Sequence, residues 1–325
     1  MVESGRSAVS TTVSRRQWLA GATVIVGTSL NAGAVTPKPA EADERAKGEP
    51  FGYCLNTSTI EGQKLSIVEK IEIASKAGYQ AIEPWIRELD QHVKDGGNLN
   101  DLGKRIKDTG LTVPSAIGFA EWLVDDEIRR KKGLEEAKRD MDMVHQIGGK
   151  RLAAPPAGAA QQTDLNLGKA AERYRALLDL GEQIGIVAEL ELWGFSKALS
   201  RLGEVAFVAI ESAHPKACIL LDIYHLYKGG SDFHGLRFLS GSVLPVIHFN
   251  DYPATPPRAS ISDAQRVYPG DGVAPLKDIV RDLRAIGFRG FLSLELFNRD
   301  YWKQDPLQVA RTGLEKMKAA VKSSI

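Results

Sequence analysis

The chain has 325 residues, 43% of them hydrophobic and 26% charged, with a formal net charge of +1. This is the composition of an ordinary globular protein, long enough for one large domain and a tail. A near-zero charge, with no Lys/Arg stripe interleaved with aromatic residues, argues against a nucleic-acid partner.

The first fifty or so residues differ from the rest. They are rich in Ser, Thr, Ala and Gly, and Ser14-Arg15-Arg16-Gln17-Trp18-Leu19 is followed by an apolar stretch reaching Val35. This resembles a twin-arginine export signal. The apolar stretch is too short to be a stable anchor, and Ala32-Gly33-Ala34 and Ala40-Glu41-Ala42 both offer small-residue cleavage sites. The expected organisation is a signal peptide and linker over 1–42 and one folded domain over 51–325. Delivery to the periplasm or cell envelope by the twin-arginine export machinery would leave no stable membrane span after processing.

From residue 52 onward, short runs rich in Val, Ile and Leu alternate with amphipathic stretches of helical length. Strands are expected at 52–56, 81–83, 112–117, 151–154, 186–191, 219–222, 246–248 and 291–295. Helices are expected at 66–77, 99–109, 126–147, 169–183, 202–211, 275–286 and 306–321. Gly78, Gly110, Gly148, Gly185 and Gly287 each follow a helix, where a left-handed residue ends it before the next strand. Eight such units argue for a closed (β/α)8 TIM barrel of the α/β class. A doubly wound dinucleotide-binding sheet would show similar local patterns, but no Gly-x-Gly-x-x-Gly follows the first strand. Cys54 and Cys218 fall on strands that are not neighbours in such a barrel, so both are expected to be small buried thiols rather than a disulfide. The long connection 250–272 is expected to form a lid or wall over the strand ends.

Four of the later runs end in Glu191, Asp222, His248 and Glu295. In a barrel of this kind these positions fall on the C-terminal rim, where the active site is built. A strand-terminal carboxylate on its own is more often a loop cap, but four potential ligands on four consecutive strands point to a metal. Three carboxylates with one imidazole suit Mn²⁺, Mg²⁺, Co²⁺ or Zn²⁺. Glu189 points to the same side of its strand as Glu191, so alternation alone does not separate the two.

Together, Leu221-Asp222-x-x-His225, Ile247-His248-Phe249-Asn250-Asp251, Arg266-Val267-Tyr268-Pro269-Gly270-Asp271-Gly272 and Ser293-Leu294-Glu295-Leu296-Phe297 resemble the xylose isomerase-like TIM barrel superfamily. The resemblance is to its sugar isomerase and epimerase branch, and it runs from about residue 51 to the end, strongest after Ile186. It implies that Glu191, rather than Glu189, joins Asp222, His248 and Glu295 around one divalent cation, Mn²⁺ first among the candidates. It also implies an isomerase or epimerase of a sugar or cyclitol that works through a cis-enediolate, with Glu191 and Glu295 taking and returning the proton.

Within that reading His225 donates to a substrate oxygen, and Arg266 steadies the developing charge. Glu83 binds substrate or orients His248. Trp193 and Trp122, with Trp85 and Phe119, are candidate walls for a sugar face. The remaining histidines, His92, His145, His214 and His234, read as surface residues. The same enediolate could expel a hydroxyl, which makes a keto-inositol dehydratase the alternative. A non-catalytic binding protein and the superfamily's abasic-site endonuclease, which needs three zinc ions and more histidines than these six, fit less well. Homo-oligomers are common in this branch. An acid within Gly270-Asp271-Gly272 argues against a phosphate site there.

Overall fold

The computed structural model of the protein describes residues 49–324 and Met1; the export signal expected over 1–42 lies outside this range. The described chain opens with β1 (Gly52–Asn56), α1 (Ile67–Ala77), β2 (Ala81–Glu83), α2 (Ile86–Lys94), α3 (Leu99–Asp108) and α4 (Glu127–Gln146). It continues through β3 (Arg151–Ala154), α5 (Leu167–Ile184), β4 (Val187–Glu191), α6 (Leu202–Glu211), β5 (Cys218–Asp222) and α7 (Ile223–Gly229). The last elements are β6 (Val246–His248), α8 (Leu276–Ala285), β7 (Phe291–Leu294) and α9 (Pro306–Lys322).

All strand pairs are parallel, in the order β2-β1-β7-β6-β5-β4-β3. Seven strands therefore stand where eight were expected. The missing one, 112–117, lies between the two ends of the sheet as isolated parallel bridges, Ala81 to Thr112, Trp85 to Ile117 and Ala116 to Leu152. Its backbone still donates and accepts. Ala116 N donates to Arg151 O, Ala153 N to Ala116 O, and Ile117 N to Pro84 O. Pro114 has no N–H to give and breaks the ladder in the middle, which is why this stave joins both edges without becoming a regular strand.

Two apolar clusters follow from strand alternation. Residues in phase with Asp222 and His248, such as Leu220 and Val246, face inward and pack with Trp85, Ile117 and Ala153. Residues out of phase, such as Leu221 and Ile247, join the large outer cluster between strands and helices. Local signals set the helix ends. Ser66 and Glu69 form a reciprocal capping box at the start of α1, and Gly78 closes it at φ 94°. The other four glycines expected to be left-handed are also at positive φ. Two helices were not expected, α2 and the short α7. α7 begins directly at the end of β5 and α2 only two residues after β2, leaving little or no loop to announce them. No helix among the described residues is long and apolar enough to cross a membrane.

The loop after β4 is pinned against α7 by two facing glycines. A Cβ on Gly194 would meet the His225 carbonyl and Gly229 N, and a Cβ on Gly229 would collide with the Ser200 carbonyl. These obstacles are backbone atoms that cannot rotate away. Gly229→Ala is therefore expected to destabilise the fold by about 1–3 kcal/mol and to push this loop off α7; chemical denaturation would check the first effect and tryptophan fluorescence the second.

Candidate active site

Parallel strands bring Asp222, His248 and Glu295 to one point. Asp222 ends β5, His248 ends β6 in register with it, and Glu295 follows the last residue of β7. One ligand atom from each lies within 4.8 Å of the others, and all three residues are buried. Asp222 is also a cap: its Oδ1 accepts from His225 N at 2.9 Å and starts α7. Asp222 thus caps a helix while standing in a cluster that could hold a metal ion. Glu191, the fourth expected ligand, stands outside this set of three and lines the adjoining cavity.

The geometry of His248 decides what the three can hold. Its Nε2 lies 3.1 Å from Glu83 Oε2. Its Nδ1 lies 3.1 Å from Glu295 Oε2 and 3.4 Å from Asp222 Oδ2, yet makes no hydrogen bond. A carboxylate on Nε2–H fixes the tautomer that leaves a lone pair on Nδ1, the arrangement found behind metal-bound histidines. An orphaned, buried nitrogen facing two carboxylate oxygens fits a divalent cation. Burial alone would lower the His248 pKa, but Glu295 and Glu83 reverse this and hold the imidazole well above its usual range. A cation must therefore displace a proton there.

Glu83 does not line the cavity. It is fully buried behind His248, where its Oε2 also accepts from Ser293 Oγ at 2.7 Å and Asn56 Nδ2 at 2.9 Å. It is placed to orient the imidazole. Glu189 is likewise separated from Glu191 by depth: fully buried, it faces the Arg151 guanidinium at 3.3 Å and is absent from the cavity wall. Desolvation outweighs the pull of Arg151 and raises its carboxyl to about 8.

Arg266 reaches the centre from the 250–272 connection, which is a wall rather than a lid. Asp251 ties this wall down by accepting from the backbone N–H groups of Tyr252, Gly270, Gly272 and Ala274. Arg266 is completely buried. Its Nη1 donates to Asp222 Oδ2 at 2.7 Å and to Glu295 Oε2 at 2.8 Å, and its Nη2 pairs with Asp263 and lies 3.2 Å from His225 Nε2. Guanidinium cannot accept, so His225 Nε2 does, and Nδ1 keeps the hydrogen. That Nδ1 is buried and unpartnered among the described residues, a free donor in a residue that lines the cavity. Burial and Arg266 lower the His225 pKa, which keeps the ring neutral, although Asp222 opposes them. Against burial, Arg266, His225 and His248 hold Asp222 well below the usual carboxylate range. Burial, reinforced by Glu295 and Asp222 against the pull of His248, pushes Glu191 well above it.

The cavity measures about 370 Å³. Glu191, Glu295, His225 and Arg266 line it, as does Trp193 with Trp85, Phe119, Phe195 and Phe297. Trp122 does not. It is buried in the core, its indole donating to Pro155 O and its ring beside Tyr174. His214 is also buried, 3.5 Å from Asp179, and is not the surface residue expected. Asn56, Ser293 and Asn250 were missed. Asn56 links Glu83, Glu295 and the Trp85 indole, while Asn250 donates to both oxygens of Asp222.

Comparison with known proteins gives the same direction. The family model for the xylose isomerase-like TIM barrel matches residues 71–320. The chain belongs to that family. Inosose isomerase of Bacillus velezensis is 26% identical over 276 residues, covering 82% of this chain and 96% of its own. Fructoselysine 3-epimerase of Escherichia coli O157:H7 is 26% identical over 273 residues, covering 79% and 94%. A crystal structure of IOLI protein with a bound zinc atom superposes with a TM-score of 0.78 at 22% identity, covering 85% of this chain and 99% of that one. Most of the curated relatives are isomerases or epimerases, which is the chemistry they support for this chain. A 3-dehydroshikimate dehydratase of Pseudomonas putida also matches at 24% identity over 268 residues, covering 78% of this chain and 39% of its own.

Two outcomes follow from the site. Glu83→Gln removes the charge that orients His248 and is expected to weaken divalent-cation binding by about 10–100-fold with the fold intact, measured by competition titration against a chelator. Glu189 has a folded pKa above its unfolded value, so it favours the fold at low pH and loses that contribution as pH rises from about 4.5 towards 8. Thermal unfolding from pH 6 to 9 should fall less steeply for Glu189→Gln than for wild type.

Proposed function

We propose that the protein is a divalent-cation-dependent isomerase or epimerase of an unphosphorylated sugar or cyclitol, working by proton transfer through a cis-enediolate. The observation that carries this reading is the pairing of a ligand-ready His248, its Nδ1 orphaned between Asp222 and Glu295, with a second carboxylate, Glu191, on the wall of the same cavity. When bound by Asp222, His248 and Glu295, with Glu191 alongside, a divalent cation polarises the substrate carbonyl and acidifies the neighbouring C–H. Mn²⁺ and Zn²⁺ both suit this donor set.

The residues divide the remaining work. Glu295 and Glu191 face the cavity as the pair that takes and returns the proton, and the raised pKa of Glu191 suits it to hold the proton awaiting return. His225 Nδ1–H donates to a substrate oxygen. Arg266, fixed by three carboxylates, supplies positive charge beside the enediolate without moving. Return of the proton to the opposite face of the same carbon epimerises; return to the neighbouring carbon isomerises. Loss of a hydroxyl from the same enediolate would instead dehydrate a keto-inositol. The backbone amides of Gly270 and Gly272, which a phosphate would need, already donate to Asp251, which supports an unphosphorylated substrate.

Deuterium exchange from solvent into a panel of ketoses and inososes, followed by NMR beside metal analysis, tests the whole reading. One divalent ion per wild-type chain and exchange without water loss are expected, with exchange falling by at least about 100-fold in both Glu191→Gln and Glu295→Gln. Exchange retained in both variants, or absent from every substrate in a fully loaded enzyme, would sink it.

A further inference from the structure

The cavity is lined by π systems in unbroken succession, with Phe119 and Phe195 at its exposed side. Phe297 meets Trp85 edge-on at 5.9 Å between centroids, and Trp85 meets Phe119 at 5.2 Å. Phe119 lies 5.9 Å from Trp193, which stacks on Phe195 at 5.2 Å, and Phe195 meets His225 at 5.7 Å. Arg266 closes the circuit, 3.2 Å from His225 Nε2 and with its guanidinium carbon 5.1 Å from the Phe297 ring. These rings come from four loops at the strand ends and from α7, which carries His225, and Phe119 and Phe195 are 39% and 45% exposed.

Below this belt the cavity is polar and suits a polyol. The belt itself does not. The Phe rings offer no hydrogen bonds and the Trp85 N–H is already given to Asn56 Oδ1. The polar groups of the circuit are therefore His225, Arg266 and the Trp193 N–H, and the arc over Phe119 and Phe195 is apolar. Hydroxyl groups lying against Phe119 and Phe195 would leave water without replacement partners, whereas a flat apolar group would cover rings that are otherwise wet. A free cyclitol or ketose, hydroxylated all round, can satisfy the floor but not the belt.

We infer that the belt is a subsite for a planar apolar substituent, so that the substrate is a sugar glycosidically linked to an aromatic or similar aglycone, with the sugar on the polar floor and the aglycone between Phe119, Trp193 and Phe195. The sugar half of this statement rests on the isomerase reading; the subsite itself does not.

The test uses the metal-loaded enzyme and two unreactive probes, phenyl and methyl β-D-glucoside, with binding read by tryptophan fluorescence, followed by deuterium exchange into a matched pair of keto-sugar phenyl and methyl glycosides. Wild type is expected to bind the phenyl probe at least about tenfold more tightly. That preference should shrink to about twofold or less in Phe119→Ala and Phe195→Ala, whose exposed positions leave the fold intact, as circular dichroism would verify. Equal affinity for the two probes in wild type, or a preference untouched by both substitutions, overturns the subsite. A phenyl preference with no exchange into either keto-glycoside leaves the subsite standing and removes the isomerase reading. Exchange into free inososes with no phenyl preference does the reverse.

Discussion

Everything at the rim depends on one buried imidazole being gripped from both sides. His248 sits with no exposed surface between Glu83 on one nitrogen and Asp222 with Glu295 on the other. Placing three carboxylates, an arginine and a histidine in a water-poor barrel is costly, because each charge loses its hydration. The cost is tolerated because the charges neutralise each other through Arg266 and His248, and because the stabilising apolar burial lies elsewhere, in the layer between strands and helices. Stability and chemistry occupy different radii of the same barrel.

The grip is backed by a polar lattice that grows outward from it. Asn56 connects Glu83, Glu295 and Trp85, so a candidate ligand, the carboxylate against His248 and a cavity wall share one side chain. Further out, Glu88 accepts from Trp85 N and Thr57 Oγ1 and pairs with the buried Lys70, which also holds Glu61. Each layer fixes the rotamers of the one inside it, as pre-organised sites require. Asp251, with four backbone donors, does the same for the wall that delivers Arg266.

How much of this the sequence could disclose follows the range of the interactions. Asp222, His248 and Glu295 were legible because a short apolar run ending in a ligand is a local pattern and parallel register aligns the ends. The left-handed glycines were legible for the same local reason. The Asn56–Glu295 bond spans 239 residues, and no local period announces it. Trp122 was misjudged because an indole after a strand can face either the cavity or the core, and its N–H found a partner, Pro155 O, that only the fold supplies. The 112–117 stave read as a strand from its apolar residues, and the lost N–H of Pro114 made itself felt only in the ladder.

That stave has a mechanical meaning. Where neighbouring staves are laced by continuous ladders, this one is held by scattered rungs, and Phe119 follows directly upon it. The barrel is least cross-linked beneath a ring that borders the opening. Glu191, Asp222, His248 and Glu295 stand on or at the ends of β4 to β7, all within the laced part of the wall. The wall is thus laced continuously where Glu191, Asp222, His248 and Glu295 stand and only rung by rung beneath Phe119, like a cask hooped on one side alone.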